Sequence, residues 1–208
     1  MAESARRLWV QQDRHPGDRW RLFRAVGAVV AAERVLYPGC YLDLAPSFVF
    51  PSVTYVDVDR RAAAFFADEE EVQAIIAEHD GAPPEPEVVF VSADYTEQLP
   101  VAEESVDLLV SLYAGFVSEF CTPALRVGGT LLVNPSHGDA AMASIDPRYR
   151  LSGVVLSSGG DHRVSDRGLD RYLEPKKPIT ITADLLHRTG RGVGYTRSAT
   201  AYLFERVR

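Results

Sequence analysis

Two aspartates stand where strands end. Asp57 closes the run "VTYVD", and Asp94 follows "VVFVS" with one alanine between. In open α/β sheets ligands sit outside the carboxyl ends of the strands, at the point where strand order reverses. A carboxylate there can accept from a pair of neighbouring hydroxyls, and the ring of Tyr95 offers a flat aromatic face. Gly39, in "RVLYPG", permits a tight turn out of the preceding strand. The segment Asn134–Ala140, "NPSHGDA", carries His137, whose ring has a pKa suited to general-base work near neutrality.

Each of these residues also has a structural reading. Asp57 could cap the following helix, although Asp59, immediately before "RRAAAFF", is better placed to do so. Asp94 could close a turn, and Gly39 would ease its turn with or without a ligand. His137 could bond within its own turn while Asp139 caps a helix through "AAMAS". Cys40 reads as a small buried hydrophobe. The glycines of "HRTGRGVGYTR" do not follow a strand and open a helix, so the stretch reads as a flexible basic turn and not a phosphate loop.

Composition narrows the class. The chain has 208 residues, 46% hydrophobic and 25% charged, with 22 basic against 29 acidic side chains and a net charge of −7. That balance opposes a nucleic-acid binder working by phosphate neutralisation. Two cysteines form neither a disulfide framework nor a metal set. No apolar run approaches the ~20 residues needed to span a bilayer, and the first twenty residues are too charged for a signal-peptide core. A cytoplasmic enzyme or binding protein is the expected class.

The elements that position these residues alternate. "DRWRLFRAVGAVVAAERV" is apolar on one helical face, with Asp18 as its expected cap. "RVLYP", "VTYVD", "VVFVS", "VDLLVSLY" and "TLLVN" read as strands. "RRAAAFFADEEEVQAIIAEHDG" reads as one helix and "AGFVSEFCTPALRVGG" as a short one ended by Gly128-Gly129. Apolar strands separated by helices predict a parallel sheet covered on both faces. "YRLSGVVLSS" and "SATAYLFERV" read as later strands. Between them lie about forty residues with one short helix, "TADLLHRTG", capped by Thr182; a loop of that length suggests a lid.

From about Ala25 to Asn134 this order resembles the class I S-adenosylmethionine-dependent methyltransferases. The resemblance is carried by "VSADYTEQLPVAEESVDLLVSLYAGF" and "LRVGGTLLVN". It implies a Rossmann-like, doubly wound, mostly parallel sheet of seven strands with the last antiparallel. It also implies S-adenosylmethionine as cofactor. Gly39 would match the first glycine of the cofactor loop, Asp57 the ribose acid, and Asp94 the acid near the adenine amino group. Tyr95 would lie beside the ring, and Ser111 to Ala114 would face the methionine part. The expected partner is a small-molecule acceptor, with no nucleic acid or membrane, and the oligomeric state is open.

The chain departs from that pattern in its first loop. Tyr37 stands where such proteins carry an acid, and Tyr41 and Asp43 stand near the usual later glycines. Asp43 would then replace the missing acid toward the cofactor's amino group. A non-catalytic protein that kept the fold is the second reading. A nicotinamide-dependent oxidoreductase is disfavoured by the absent Gly-x-Gly-x-x-Gly pattern. The expected organisation is one methyltransferase-like domain: N-terminal helices over 1–33, a cofactor core over 34–134, and C-terminal strands with an acceptor lid over 135–208.

Overall fold

The computed structural model describes residues 4–13, 15, 17–112 and 114–208. Two helices, α1 (Ala5–Gln12) and α2 (Asp18–Gly27), precede the alternating core. The core runs β1 (Arg34–Pro38), β2 (Ser52–Asp57), α3 (Arg60–Phe66), α4 (Glu69–Ala77), β3 (Glu87–Ser92), β4 (Val106–Ser111), α5 (Val117–Phe120) and β5 (Leu125–Val133). Then come α6 (Asp139–Ile145), β6 (Tyr149–Ser158), β7 (Asp161–Ser165), α7 (Ala183–Thr189) and β8 (Ala201–Arg206).

One sheet of eight strands results, in the order β3-β2-β1-β4-β5-β8-β6-β7. The strands from β3 to β5 are mutually parallel. β8 inserts antiparallel between β5 and β6, and β7 adds antiparallel to β6 at the edge. Strand order reverses between β1 and β4, so their carboxyl ends form the switch-point crevice. β1 and β4 are almost wholly buried, as strands covered on both faces must be.

The expected seven strands become eight because the supposed loop after "GVVLSS" turns back on itself. Gly159 and Gly160 both have positive φ, 62° and 86°, which suits a two-residue turn that matches strand twist. Ser158 then pairs with Asp161 and Val154 with Ser165. The hairpin packs on α2: Arg21 Nε donates to Gly160 O at 2.6 Å, and His162 Nε2 lies 3.2 Å from Asp18 Oδ1. Asp18 is therefore the first helical residue and not the cap, which is Gly17.

Two other expected elements differ. The single helix after β2 is broken in two, because the Asp68 carboxylate accepts from Glu71 N–H and starts α4 afresh. β5 begins at Leu125, so Gly128-Gly129 lie inside the strand, beside a register shift against β4. The helix before it ends at Phe120, ahead of Pro123. Asp59 caps α3 through Arg61 N–H at 2.6 Å, and Thr182 caps α7 through Leu185 N–H at 3.2 Å, both as expected.

Candidate functional site

Gly39 leaves β1 with φ +65°, the left-handed region, and its N–H donates to Val56 O at 2.8 Å. A Cβ on Gly39 would stand 2.7 Å from Ala114 Cβ and 3.9 Å from Tyr95 Cε1. The turn after β1, the end of β4 and the loop after β3 therefore meet at one point. Tyr95 Oη donates to Gly115 O at 2.9 Å and ties the β3 loop to the β4 loop.

Asp57, at the end of β2, is half-buried beside this junction. One carboxylate oxygen accepts from Tyr41 N–H at 2.7 Å and the other from Asp59 N–H at 2.9 Å. Tyr41 itself has φ 49°, so the carboxylate holds a loop residue in a conformation that side chains rarely adopt. Each oxygen keeps a further lone pair for a hydroxyl.

Asp94 lies exposed two residues past β3. Its Oδ1 accepts from Thr96 N–H at 2.9 Å and Thr96 Oγ1–H at 2.8 Å. These bonds to Thr96 hold the carboxyl below its ordinary range, as hydrogen bonds to the ionised form do.

Two expected cofactor contacts are made with protein partners. Asp43 is 3% exposed; its Oδ2 accepts from Arg19 Nε at 2.9 Å, Arg19 NH2 at 2.7 Å and Tyr37 Oη at 2.9 Å. Buried beside the sheet, that carboxylate needs a cation, and α2 supplies it. Asp43 Oδ2 thus already has Arg19 and Tyr37 as partners, while the residue also lines the cleft over the β1 turn. Ser111, 1% exposed, donates its hydroxyl to Asp139 Oδ2. Tyr113, within the stretch expected to face the methionine part, lies outside the described residues.

Asp139 opens α6 as a fully buried acid and not as an exposed cap. Ser118 donates its hydroxyl and its N–H to the same carboxylate. Beyond Ser118, Thr122 Oγ1 bonds to Ser118 O and to Tyr149 Oη. Burial pushes the Asp139 carboxyl up, against the lowering effect of the Ser111 and Ser118 hydrogen bonds. Burial likewise pushes the Cys40 thiol well above its usual value, which keeps it protonated as a small buried side chain.

His137 is half-buried after β5, with Nδ1 2.7 Å from Ser136 Oγ. Its turn is ordered by a second segment. Gly192 N–H donates to Ser136 O at 3.2 Å, and a Cβ on Gly192 would overlap Pro135 O. The glycine-rich stretch is thus a tight packing element, a role that only the tertiary contact reveals.

A cleft of about 710 Å³ opens over the β1 turn, lined by Gly39, Tyr41 and Asp43 from the sheet edge and by Trp9, Asp13 and Arg19 from α1, α2 and their connection. Its volume falls in the range of small-molecule sites. A second cavity of about 420 Å³ lies on the side of Tyr95, Leu99 and Cys121. Gly39 lines the first, Tyr95 the second, and Ala114 fills the contact between them. Asp57 and Tyr95 are the residues that would meet the ribose and base of an adenosyl cofactor; Tyr95 lines the second cavity, and Asp57 holds the Tyr41 loop that lines the first. The residues present do not fit the cofactor's amino-acid end with the loop in this position, because Gly39 and Ala114 are in contact.

No protein-family model matches the chain, and no curated protein matches it. Solved structures do. A "putative O-methyltransferase" from Klebsiella pneumoniae superposes with a TM-score of 0.51 at 10% identity, over 79% of this chain and 88% of that one. The O-methyltransferase TomG from Streptomyces achromogenes, solved with S-adenosylmethionine, gives 0.48 at 14% identity over the same shares, 79% and 88%. The [4+2]-cyclase SpnF gives 0.41 at 20% identity over 55% of this chain, which spans 44% of SpnF. No helix among the described residues is long and apolar enough to cross a membrane. The comparisons identify the architecture: the chain has the Rossmann-like fold seen in methyltransferases.

Proposed function

We propose that the protein is an S-adenosylmethionine-dependent methyltransferase acting on a small molecule at oxygen or nitrogen. The observation that carries this reading is the placement of Asp57, a half-buried carboxylate at the end of β2, the strand beside the switch point, bonded to the loop after the Gly39 turn, which itself meets the β3 loop bearing Tyr95. When bound, the cofactor supplies an electrophilic methyl group. The chain's own part is to orient two reactants and exclude water, which accounts for much of the rate in such reactions. His137 is the proposed base for an acceptor that carries a proton, since its Nε2 has no hydrogen-bond partner among the described residues. His137→Ala should leave cofactor affinity intact and lower transfer by roughly 10²–10⁴-fold.

The contact of Gly39 with Ala114 favours a second reading, a ligand-binding protein that kept the fold without transfer. Titration calorimetry with S-adenosylmethionine and S-adenosylhomocysteine separates the two from the outset. Binding of neither ligand overturns the cofactor reading altogether. Binding without methyl release across oxygen and nitrogen acceptors supports the second reading.

A further inference from the structure

Between α7 and the chain that follows it lies a cleft of about 380 Å³ that shares no lining residue with the Gly39 cleft. Its apolar walls include Ile179, Leu185, Leu186 and Val193, and its charged positions are Lys176, Lys177 and Arg191. No carboxylate lines it. The walls are held in place. Thr182 and Gly190 cap α7, and Leu186 is buried against Ala141 and Met142 of α6. Lys176 N–H donates to Gly194 O at 2.8 Å, and Gly192 N–H is anchored to Ser136 O.

The net charge of the chain is −7, and several of its arginines pair with acids, as Arg6, Arg126, Arg148 and Arg150 do. Lys176, Lys177 and Arg191 form no ion pair among the described residues, yet border one apolar cavity. Like charges so gathered repel one another, and exposed apolar walls cost solvation. An anion with an apolar body relieves both.

We infer that this cleft binds a small amphipathic anion, with its apolar body on Ile179, Leu185 and Val193 and its acidic headgroup met by Lys176, Lys177 and Arg191. The assignment does not depend on methyl transfer or on the Gly39 cleft.

The test uses the full chain and 8-anilinonaphthalene-1-sulfonate, whose fluorescence reports entry into an apolar site. Octanoate and octyl phosphate distinguish carboxylate from phosphate headgroups; octanol has the body without charge, and acetate the charge without a body. Saturable enhancement is expected, displaced by one or both octyl anions at concentrations at least about tenfold lower than octanol or acetate requires. The triple variant Lys176→Gln, Lys177→Gln, Arg191→Gln should weaken probe binding at least about tenfold. Removing the exposed cations Arg60, Arg163 and Arg167 in the same way should leave it unchanged, as should both variants' thermal midpoints. Absence of saturable binding, equal displacement by octanol, or unchanged affinity in the first variant overturns the assignment.

Discussion

The N–H of Tyr41 donates to Asp57 Oδ2 at 2.7 Å, joining the loop after β1 to the end of β2. This bond gives the strand-ending acid two tasks that substitution can separate. Asp57→Ala should destabilise the fold by about 1–3 kcal/mol, the cost of leaving the Tyr41 and Asp59 N–H groups unmet. It should also weaken S-adenosylmethionine binding by about 1.5–3 kcal/mol. Asp57→Asn keeps one acceptor oxygen, so it should recover part of the stability while cofactor affinity stays low. Urea denaturation and calorimetry read the two effects apart. Full recovery of affinity in the Asn variant would leave Asp57 with its loop-holding task alone.

Arg19 and Asp43 form the second joint, between α2 and the same loop. The Asp43 side chain is 5% exposed and the Arg19 side chain 24%. Removing the cation leaves a buried carboxylate with Tyr37 Oη and Ala45 N–H as its remaining donors. Arg19→Ala should therefore cost about 2–4 kcal/mol, below the upper range for buried pairs because Arg19 is partly solvated. Adding Asp43→Asn should restore at least half of that loss. A double variant as unstable as the sum of the singles would show that the residues do not act as a pair.

Asp139 sets an expected pH dependence. Burial raises its carboxyl above the ordinary value, with Ser111 and Ser118 hydrogen bonds opposing. The folded state therefore holds the proton to higher pH than the unfolded chain does. The stability this group contributes is complete below the ordinary carboxylate pKa, about 3.9, and is lost as pH rises through the raised folded value. Tyr95, Cys121 and Tyr149 lie within its field, and all are neutral across that range. Asp139→Asn mimics the protonated acid, so its stability relative to the parent should improve from pH 4 to pH 7. A constant difference across that range would show that Asp139 does not titrate as its burial implies.

What was legible in the sequence was what local chemistry dictates. Alternation of apolar strands with helices gave the parallel core, and Asp59 and Thr182 each sit one residue before their helices, where caps belong. The break between α3 and α4 had a readable signal, Asp68 followed three residues later by Glu71. The hairpin at Gly159-Gly160 was readable too, but its polar strand Asp161–Ser165 lacks an apolar alternation. The partners of Asp43 and Ser111 were not readable. Arg19 lies 24 residues before Asp43, and Asp139 lies 28 after Ser111, so only folding brings them together. Gly192 belongs with these, because its need for a missing Cβ comes from Pro135 O across the chain.

The contact between Gly39 and Ala114 decides how the crevice is closed, and it can be tested without any ligand. Gly39→Ala introduces two separate penalties. The backbone at φ +65° is costly for any L side chain, by about 1–2 kcal/mol. The new methyl also stands 2.7 Å from Ala114 Cβ, a distance that forces the β1 turn and the β4 end apart. Ala114→Gly alone should cost little, since Ala114 is only half-buried and lies outside regular structure. Combining the two should remove the clash and leave the backbone penalty, so the double variant should be more stable than Gly39→Ala yet below the parent by about 1–2 kcal/mol. If Ala114→Gly gives no rescue, the two residues are not in contact in solution and the crevice is already open between them. In that event the amino-acid end of an adenosyl cofactor has room, and calorimetry on the parent protein should show it binding without the lag that loop displacement imposes.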